Sequence, residues 1–310
     1  MLKSSVNFSK LKRLNAGGVV YKNYLMKDHT TFLVGGRAKY YLEIHTLASF
    51  IKVVLYLNEC KVKPFVLGNG SNVLISDKGY NGVIISLKGT LALIEKTGEC
   101  QLEVGAGATI SKVYAVAQSM DLSGLECGAG IPATIGGMVY MNASAYDFEM
   151  SQIVDYVVAF HDGKITYFNR DECKFAYRSS IFQTGEYLIM RVGLTLTNGD
   201  KKDIEDKFIE CARKRVSSQP LEYPSAGCVF KRLDGLNVSK MLDDGGFKGM
   251  KIGGAEVSNK HANFIINSGN AIAQDIYDLI NKIKLDFYEK YKVELDTEIK
   301  FLGEFDETTR

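Results

Sequence analysis

Residues 65–75 read Phe-Val-Leu-Gly-Asn-Gly-Ser-Asn-Val-Leu-Ile, and the rest of the chain is organised around them. The apolar residues at both ends are β-prone, so they predict two short buried strands. Between the strands lies a loop of small residues, Gly68, Asn69, Gly70, Ser71 and Asn72. Glycine allows positive φ and close approach of a ligand, and successive N–H groups form a concavity that suits phosphate. The loop therefore predicts a phosphate-binding site; the alternative is a tight turn between strands.

The loop differs from two common phosphate-binding motifs. It lacks the Gly-Lys-Ser/Thr ending of a Walker loop, and a strand follows it where a Rossmann fingerprint would have a helix. The sequence before it predicts a strand at 40–44 and a helix at 47–60. The loop therefore follows a strand in a β-α-β run, at the end where α/β folds usually bind ligands.

A second glycine-rich segment, residues 128–137, reads Gly-Ala-Gly-Ile-Pro-Ala-Thr-Ile-Gly-Gly. Small residues continue to about residue 146. A long apolar loop gains little from packing, so a purely structural role would be unusual. A flat ligand lying against the backbone explains the composition better, and we interpret the segment as a second binding loop.

The composition narrows the functional class. The chain has 310 residues, of which 46% are hydrophobic and 24% charged, as in an ordinary globular protein of two or three domains. A net charge of +2 argues against a dedicated nucleic-acid binder. No apolar run approaches the ~18 residues of a membrane span, and residues 1–14 lack the apolar core of a secretory signal. Six cysteines without a Cys-x-x-Cys pair indicate reduced thiols in a cytoplasm, in preference to disulfides or a zinc site.

Four further features come later in the chain. The pair Asp162-Gly163 between β-prone runs predicts a β-hairpin. Residues 273–291 have the apolar periodicity of an amphipathic helix that packs on a core. The residue composition of the sequence changes near Gln219-Pro220, which predicts a domain boundary there. Arg178 lies between apolar residues, and local sequence alone favours a surface or salt-bridged arginine.

Taken in order, the motifs closely resemble those of the UDP-N-acetylenolpyruvoylglucosamine reductase (MurB) family. The resemblance covers nearly the whole chain, and residues 219–225 are similar to the type II form. The matching segments are 68–74, Gly130-Ile131-Pro132 with Gly136-Gly137, Tyr177-Arg178 with Ser180-Ile181-Phe182, 252–257, Lys260-His261-Ala262, 295–299 and 302–304.

The resemblance implies an α+β fold. Residues 1–215 would be an FAD-binding region of the PCMH or vanillyl-alcohol-oxidase type, with subdomains at about 1–88 and 89–215. Residues 216–310 would be a C-terminal α+β domain that binds a UDP-sugar. The implied contacts with non-covalently bound FAD come from both loops: Gly68, Asn69, Gly70, Ser71, Asn72, Gly130, Ile131, Pro132, Gly136, Gly137 and Asn142.

The implied reaction uses NADPH to reduce FAD, which then reduces UDP-N-acetylenolpyruvoylglucosamine to UDP-N-acetylmuramate for peptidoglycan. Negative charge that develops beside the substrate carboxylate needs fixed partners, and an acid must protonate the carbon. By motif, Arg178 grips the carboxylate and Glu298, protonated or donating through a partner, supports the charge. The structural alternative for Glu298 is a surface charge at the end of a strand.

The chain departs from the family pattern at the proton donor. The familiar form has a serine where this chain has Cys228. A thiol has a reference pKa near ~8.5, so it is mostly protonated at neutral pH and can donate a proton from the same place. We therefore expect Cys228 to be catalytic; the alternative is a small buried cysteine.

The resemblance also suggests nucleotide contacts. Arg232, Lys260 and His261 match positions that would face the uridine diphosphate, together with Arg178 at the substrate carboxylate. A lysine expected before Gln219 is Ser218 in this chain, so no residue is assigned to NADPH.

Two other functions remain open at this point. A flavin oxidase or dehydrogenase of the same fold would keep both loops but would not need Glu298 and His261 as placed. A nucleotide-binding regulatory protein could use the pocket without turnover, which the change at Cys228 would permit. We expect a cytoplasmic protein with no metal, no membrane insertion, no nucleic-acid ligand and no obligatory protein partner.

Overall fold

The structure, a computed structural model, describes residues 6–233 and 235–307. The described chain separates into two compact units. The first unit takes the residues up to Lys22, then 40–68 and 82–214. The second takes 23–39, 69–81 and the residues from Arg215 onward. The last change from the first unit to the second falls between Lys214 and Arg215, close to the boundary expected from sequence. Two earlier segments, 23–39 and 69–81, also belong to the second unit. The functional division into 1–215 and 216–310 stays a prediction.

Eight α-helices lie in the described residues, with short 3-10 helices at Lys27–His29, Gly89–Ala92 and Ile181–Thr184. The α-helices are α1 (Phe8–Leu14), α2 (Leu47–Glu59), α3 (Ile110–Gln118), α4 (Ile135–Met141), α5 (Met150–Ile153), α6 (Lys201–Ser218), α7 (Val238–Asp244) and α8 (Ala273–Tyr291).

The strands of the described residues are mostly short. They are β1 (Val19–Leu25), β2 (Arg37–Ile44), β3 (Phe65–Val66), β4 (Val73–Ile75), β5 (Tyr80–Leu87), β6 (Ile94–Lys96), β7 (Gln101–Gly105), β8 (Leu122–Ser123), β9 (Ser144–Ala145), β10 (Phe148–Glu149), β11 (Val154–His161), β12 (Lys164–Asn169), β13 (Leu188–Thr195), β14 (Thr197–Asn198), β15 (Ser225–Cys228), β16 (Lys251–Ile252), β17 (Ala255–Val257), β18 (Phe264–Asn267) and β19 (Lys300–Leu302).

Most of the first unit is built on two sheets. One has the order β1-β2-β5-β3, with β3 parallel to β5. One end of each of β1, β2 and β5 is assigned to the second unit. The other has the order β12-β11-β13-β7-β6 and is antiparallel. Helix α4 packs on β13 and β7. The apolar side chains of these elements form one buried cluster that extends from Leu11 to Cys211.

The second unit has its own core. An antiparallel sheet of order β15-β18-β17-β16 carries α8, which packs on β16 and β17. Strand β4 pairs in parallel with β19, although about 225 residues separate them. The buried residues of α8 include Ile276, Leu279, Ile283 and Phe287, as the apolar periodicity predicted.

The hairpin prediction is confirmed. Strands β11 and β12 pair in antiparallel register, from Tyr156 opposite Asn169 to His161 opposite Lys164. The turn between them is Asp162-Gly163. Both turn residues have positive φ, 45° and 77°. This is the backbone of the two-residue turn that matches the twist of a hairpin.

The prediction of a continuous loop at 128–137 is wrong at its end. Helix α4 begins at Ile135, because the Thr134 hydroxyl accepts a hydrogen bond from the Gly137 N–H at 3.4 Å and caps the helix. Gly136 also lies close to Ala106: a β-carbon added to it would be 2.9 Å from the Ala106 Cβ. Packing of α4 on the sheet therefore overrides the low helix propensity of two adjacent glycines.

The expectation of six reduced thiols is also wrong for one pair. Cys127 and Cys211 form a disulfide, with their Cα atoms 5.2 Å apart. They are 84 residues apart in sequence, and only the packing of α6 brings them together. Cys60, Cys100, Cys173 and Cys228 are not disulfide-bonded. Among the described residues, no helix combines the length and apolar character needed to cross a membrane.

Candidate active site

The first glycine-rich loop does not close a hairpin, because β3 and β4 belong to different sheets. Gly68 lies in the first unit and Asn69 to Asn72 in the second. The loop therefore joins strands of different sheets, and within it residues 68–70 bend and residues 71–72 form a turn.

In the first unit, Gly68 lies directly against the second loop. A β-carbon added to Gly68 would be 2.5 Å from the Thr134 Oγ1. Gly68, Gly130 and Pro132 are solvent-exposed. The structure thus brings the end of β3 and the segment before α4 together as an exposed surface of backbone and small side chains. These residues fit a flat, phosphate-bearing cofactor such as FAD, which needs close approach to the main chain.

In the second unit, Gly70 has a structural reason to be glycine. Its φ is 65°, and an added β-carbon would lie 2.1 Å from the carbonyl oxygen of His29. The Gly70 carbonyl accepts a hydrogen bond from the Thr31 N–H at 3.3 Å. Asn72 then joins the loop to the last part of the chain: its Nδ2 donates to the Glu298 carbonyl at 3.1 Å, and its own carbonyl accepts from Lys300 N–H.

Cys228 and Glu298 come from neighbouring segments of the second unit. The Glu298 N–H donates to the carbonyl of Val229, the residue after Cys228, at 2.8 Å. Cys228 ends β15 opposite Phe264 of β18 and is half-buried. Glu298 is only 7% exposed, which excludes the alternative of a solvated charge at a strand end. The structure therefore places two of the three predicted catalytic residues on neighbouring segments of one unit.

Asn263 fixes the segment that follows Cys228. Its Oδ1 accepts from the Phe230 N–H at 2.8 Å and its Nδ2 donates to the Phe230 carbonyl at 2.9 Å. Asn263 is 5% exposed, so both bonds lie out of water and fix the strand two residues after Cys228. Sequence reasoning missed this residue. The available signal was a polar asparagine among Ala262, Phe264 and Ile265, which are buried and apolar.

The predicted nucleotide-binding residues differ in their surroundings. Burial lowers the pKa of His261, and the Lys248 charge acts in the same direction. The His261 Nδ1 accepts from the Asn263 N–H at 3.2 Å, which places the proton of the neutral ring on Nε2. The Lys260 Nζ donates to the Val216 carbonyl at 2.6 Å, so this lysine also holds the end of α6. Arg232 is exposed.

Arg178 belongs to the first unit, and its contacts are unlike those of a solvated arginine. It lies in a tight turn closed by two hydrogen bonds between Ala176 and Ser179. Its φ is 51°, in the left-handed region that side chains rarely adopt. Its guanidinium Nη1 donates to the Ser144 Oγ at 2.9 Å.

Asn142 follows α4 and is 1% exposed. Its Nδ2 donates to Glu149 Oε1 and to the Ala176 carbonyl, and its Oδ1 accepts from Ser151 N–H. The structure gives this side chain a role within the protein. The contact with a cofactor that the resemblance implies stays a prediction.

Comparison with known proteins decides the family. The UDP-N-acetylenolpyruvoylglucosamine reductase of Caldanaerobacter subterraneus subsp. tengcongensis is 41% identical over 296 residues, which cover 95% of this chain and 97% of that protein. The chain belongs to the UDP-N-acetylenolpyruvoylglucosamine reductase (MurB) family. The family reductase of Clostridium novyi is 40% identical over 289 residues and is covered to 92%, as is this chain.

Family models and a solved structure agree with this reductase assignment. The model for the C-terminal domain of UDP-N-acetylenolpyruvoylglucosamine reductase matches residues 219–302, and an FAD binding domain matches residues 38–168. The crystal structure of the MurB reductase from Thermus caldophilus has a TM-score of 0.79 at 33% identity, and the match covers 92% of this chain and 99% of that one. The predicted α+β fold with an FAD-binding region is confirmed. The chain is a flavin-dependent oxidoreductase.

Proposed function

We propose that this reductase converts UDP-N-acetylenolpyruvoylglucosamine to UDP-N-acetylmuramate in peptidoglycan synthesis, with NADPH as reductant and FAD as the bound cofactor. The observation that carries the proposal is the pairing of Cys228 and Glu298 on adjacent segments, joined by the hydrogen bond from Glu298 N–H to Val229 O. A proton donor and a buried acid on neighbouring segments suit protonation of a carbon next to a carboxylate.

FAD bound at the two glycine-rich loops would supply hydride chemistry between NADPH and the enolpyruvyl double bond. The protein supplies the rest. Arg178 binds the substrate carboxylate through its planar guanidinium and offsets the negative charge that develops beside it. Glu298 is the second residue assigned to the same developing charge. The Cys228 thiol gives its proton to the carbon that bears the carboxylate, and the thiolate is reprotonated from solvent before the next turnover.

The proposed binding residues follow from the same assignment. The exposed backbone around Gly68 and residues 130–137 supports FAD. Arg232, Lys260 and His261 support the uridine diphosphate, with His261 donating through Nε2. Because burial lowers the pKa of His261, this contact is a neutral N–H donor at pH 7 and not an ion pair.

The test is a flavin spectrum recorded without oxygen. The purified protein should be yellow, should bleach when NADPH is added, and should regain its colour when UDP-N-acetylenolpyruvoylglucosamine follows. NADH in place of NADPH is the matched control for the reductant. UDP-N-acetylglucosamine, which lacks the double bond, is the control for the second step.

The outcomes separate the competing functions. Bleaching without recovery favours an oxidase or dehydrogenase that acts on another substrate. A flavin that NADPH does not bleach favours a nucleotide-binding regulatory protein. Protein that retains no flavin contradicts the cofactor assignment.

A further inference from the structure

Arg178 is held by two neutral acceptors of one residue. Its Nη1 donates to the Ser144 hydroxyl at 2.9 Å and to the Ser144 carbonyl at 3.4 Å, and Nη2 approaches the same carbonyl at 3.5 Å. The hydroxyl and the carbonyl are neutral acceptors, so these contacts orient the guanidinium while its positive charge stays in place. The contact therefore suits an arginine that must present its charge to a substrate.

The main chain at Arg178 is fixed as firmly as its side chain. The Gln183 Nε2 donates to the Arg178 carbonyl at 2.8 Å and to the Tyr140 carbonyl at 2.9 Å. Arg178 has φ 51°, so its backbone conformation needs such support from its neighbours. The main-chain position from which the Arg178 side chain reaches Ser144 is thus fixed.

Ser144 and Arg178 sit on two separate segments that one side chain joins. Ser144 pairs with Glu149 in the β9-β10 hairpin, and Arg178 lies in the turn 176–179. The Asn142 Nδ2 donates both to Glu149 Oε1 at 2.9 Å and to the Ala176 carbonyl at 3.0 Å. The spacing between the hydroxyl and the guanidinium is therefore set before any ligand arrives, which is the condition for a preorganised charge.

We propose that Ser144 is a positioning residue for Arg178: its hydroxyl fixes the direction in which the guanidinium meets the substrate carboxylate. This inference rests on the proposed function, because it assigns the carboxylate of the enolpyruvyl group to Arg178. Ser144 itself touches neither substrate nor cofactor in this scheme.

The test compares Ser144→Ala and Ser144→Thr with the wild type. Stopped-flow spectra follow separately the reduction of the flavin by NADPH and its reoxidation by the enolpyruvyl sugar. The Ser144→Ala variant loses a hydrogen bond to a charged group. Its flavin should therefore be reoxidised about tenfold more slowly than that of the wild type, and titration calorimetry should show weaker binding of the sugar. Ser144→Thr keeps the hydroxyl and should recover most of both. Reduction by NADPH should not change, and Ser111→Ala on the exposed face of α3 is the matched serine control.

A double-mutant cycle separates positioning from a general structural role. If Ser144 acts through Arg178, Ser144→Ala should slow reoxidation less than twofold further in the Arg178→Ala background. The proposal is overturned if Ser144→Ala slows reoxidation by the same factor in the Arg178→Ala background as in the wild type. It is also overturned if Ser144→Ala slows both half-reactions. Failure of the wild type itself to be reoxidised by the enolpyruvyl sugar overturns the proposed function, and this inference with it. A wild type that reacts normally beside an unaffected Ser144→Ala overturns the positioning role alone.

Discussion

Cys228 is the residue at which this chain departs from the serine of the family pattern. If its thiol delivers the proton, Cys228→Ser should retain substantial activity, because a hydroxyl can donate from the same place. Cys228→Ala should stop reoxidation of the reduced flavin by the enolpyruvyl sugar and spare its reduction by NADPH. Anaerobic stopped-flow spectra of the two variants measure both steps. Near-wild-type turnover by Cys228→Ala would show that the proton comes from elsewhere.

The surroundings of the other thiols allow a chemical check. Cys60 and Cys173 are buried, and burial raises the pKa of Cys173 to about 12, so both should react slowly with an alkylating agent. Cys100 is the competing half-buried thiol. In a Cys100→Ser background, alkylation should inactivate the protein, and bound UDP-sugar should protect it. Inactivation that persists after Cys228→Ser would assign the reactive site to another residue.

Glu298 and Arg178 should matter for only one half of the reaction. Glu298→Gln and Arg178→Ala each remove a partner of developing charge, so reoxidation by the enolpyruvyl sugar should slow by roughly two orders of magnitude or more. Reduction by NADPH should stay close to wild type. Single-turnover measurement of each half decides the matter. If both halves slow alike, the two residues support the fold or the cofactor instead.

His261 gives the free energy of unfolding a defined pH dependence. Burial lowers its pKa from the ordinary value of 6.5, with Lys248 adding to the effect and Asp243 opposing it. Below about pH 6.5, His261 therefore takes up a proton more readily in the unfolded chain than in the folded chain. The stability of the folded state that depends on neutral His261 is present above pH 6.5 and is lost as the pH falls. His261→Asn keeps an acceptor near Nδ1 and should lose less stability than the wild type between pH 7.5 and 5.5 in urea titrations. Equal losses would remove His261 as the cause.

At the scale of the helix, α8 receives its N-terminal cap from a distant segment. The residue before it is Ile272, whose side chain cannot accept a hydrogen bond. The two carboxylate oxygens of Asp77 instead accept from Ala273 N–H at 3.0 Å and Gln274 N–H at 2.9 Å. Asp77→Ala should therefore cost about 1–2 kcal/mol of unfolding free energy, and Asp77→Asn less, because it keeps one acceptor.

Urea unfolding monitored by circular dichroism measures this change. Asp206→Ala, on an exposed position of α6, is the matched control and should stay within about 0.5 kcal/mol of the wild type. A similarly small change for Asp77→Ala would mean that water caps α8 equally well.

The sequence predicted those elements whose signal is local. The periodicity of residues 273–291 and the Asp162-Gly163 turn were enough for α8 and the β11-β12 hairpin. Local signals failed where tertiary packing decides. Packing on β13 and β7 makes residues 135–141 helical, and the His29 carbonyl explains why residue 70 is glycine.

The candidate site shows the same division. The resemblance to the MurB family pointed to Arg178, Cys228 and Glu298, whereas local sequence alone favoured a surface arginine at position 178. The partners that hold them were missed: Ser144 and Asn263 contact residues 34 and 33 positions away. Hydrogen bonds over such separations leave no periodic trace in a single sequence.

At the scale of the whole molecule, the two units are interleaved along the chain, and this has a consequence for biosynthesis. The second unit draws residues 23–39 and 69–81 from the first third of the chain, yet β4 pairs with β19 at Lys300–Leu302. A ribosome delivers the N-terminal strand long before its partner. The apolar residues Val73, Leu74 and Ile75 must therefore wait, unpaired, until the last strand is released.

Folding of the second unit should accordingly be a late event that belongs to the finished chain. A chain that stops after Lys292 lacks β19 and should show rapid hydrogen exchange across residues 69–81 by mass spectrometry, whereas a chain that stops after Glu307 should protect them. Strong protection in the shorter chain would contradict this order. Where the order holds, a premature stop late in the message releases a chain with an apolar strand exposed near its beginning, a ready substrate for chaperones and proteases.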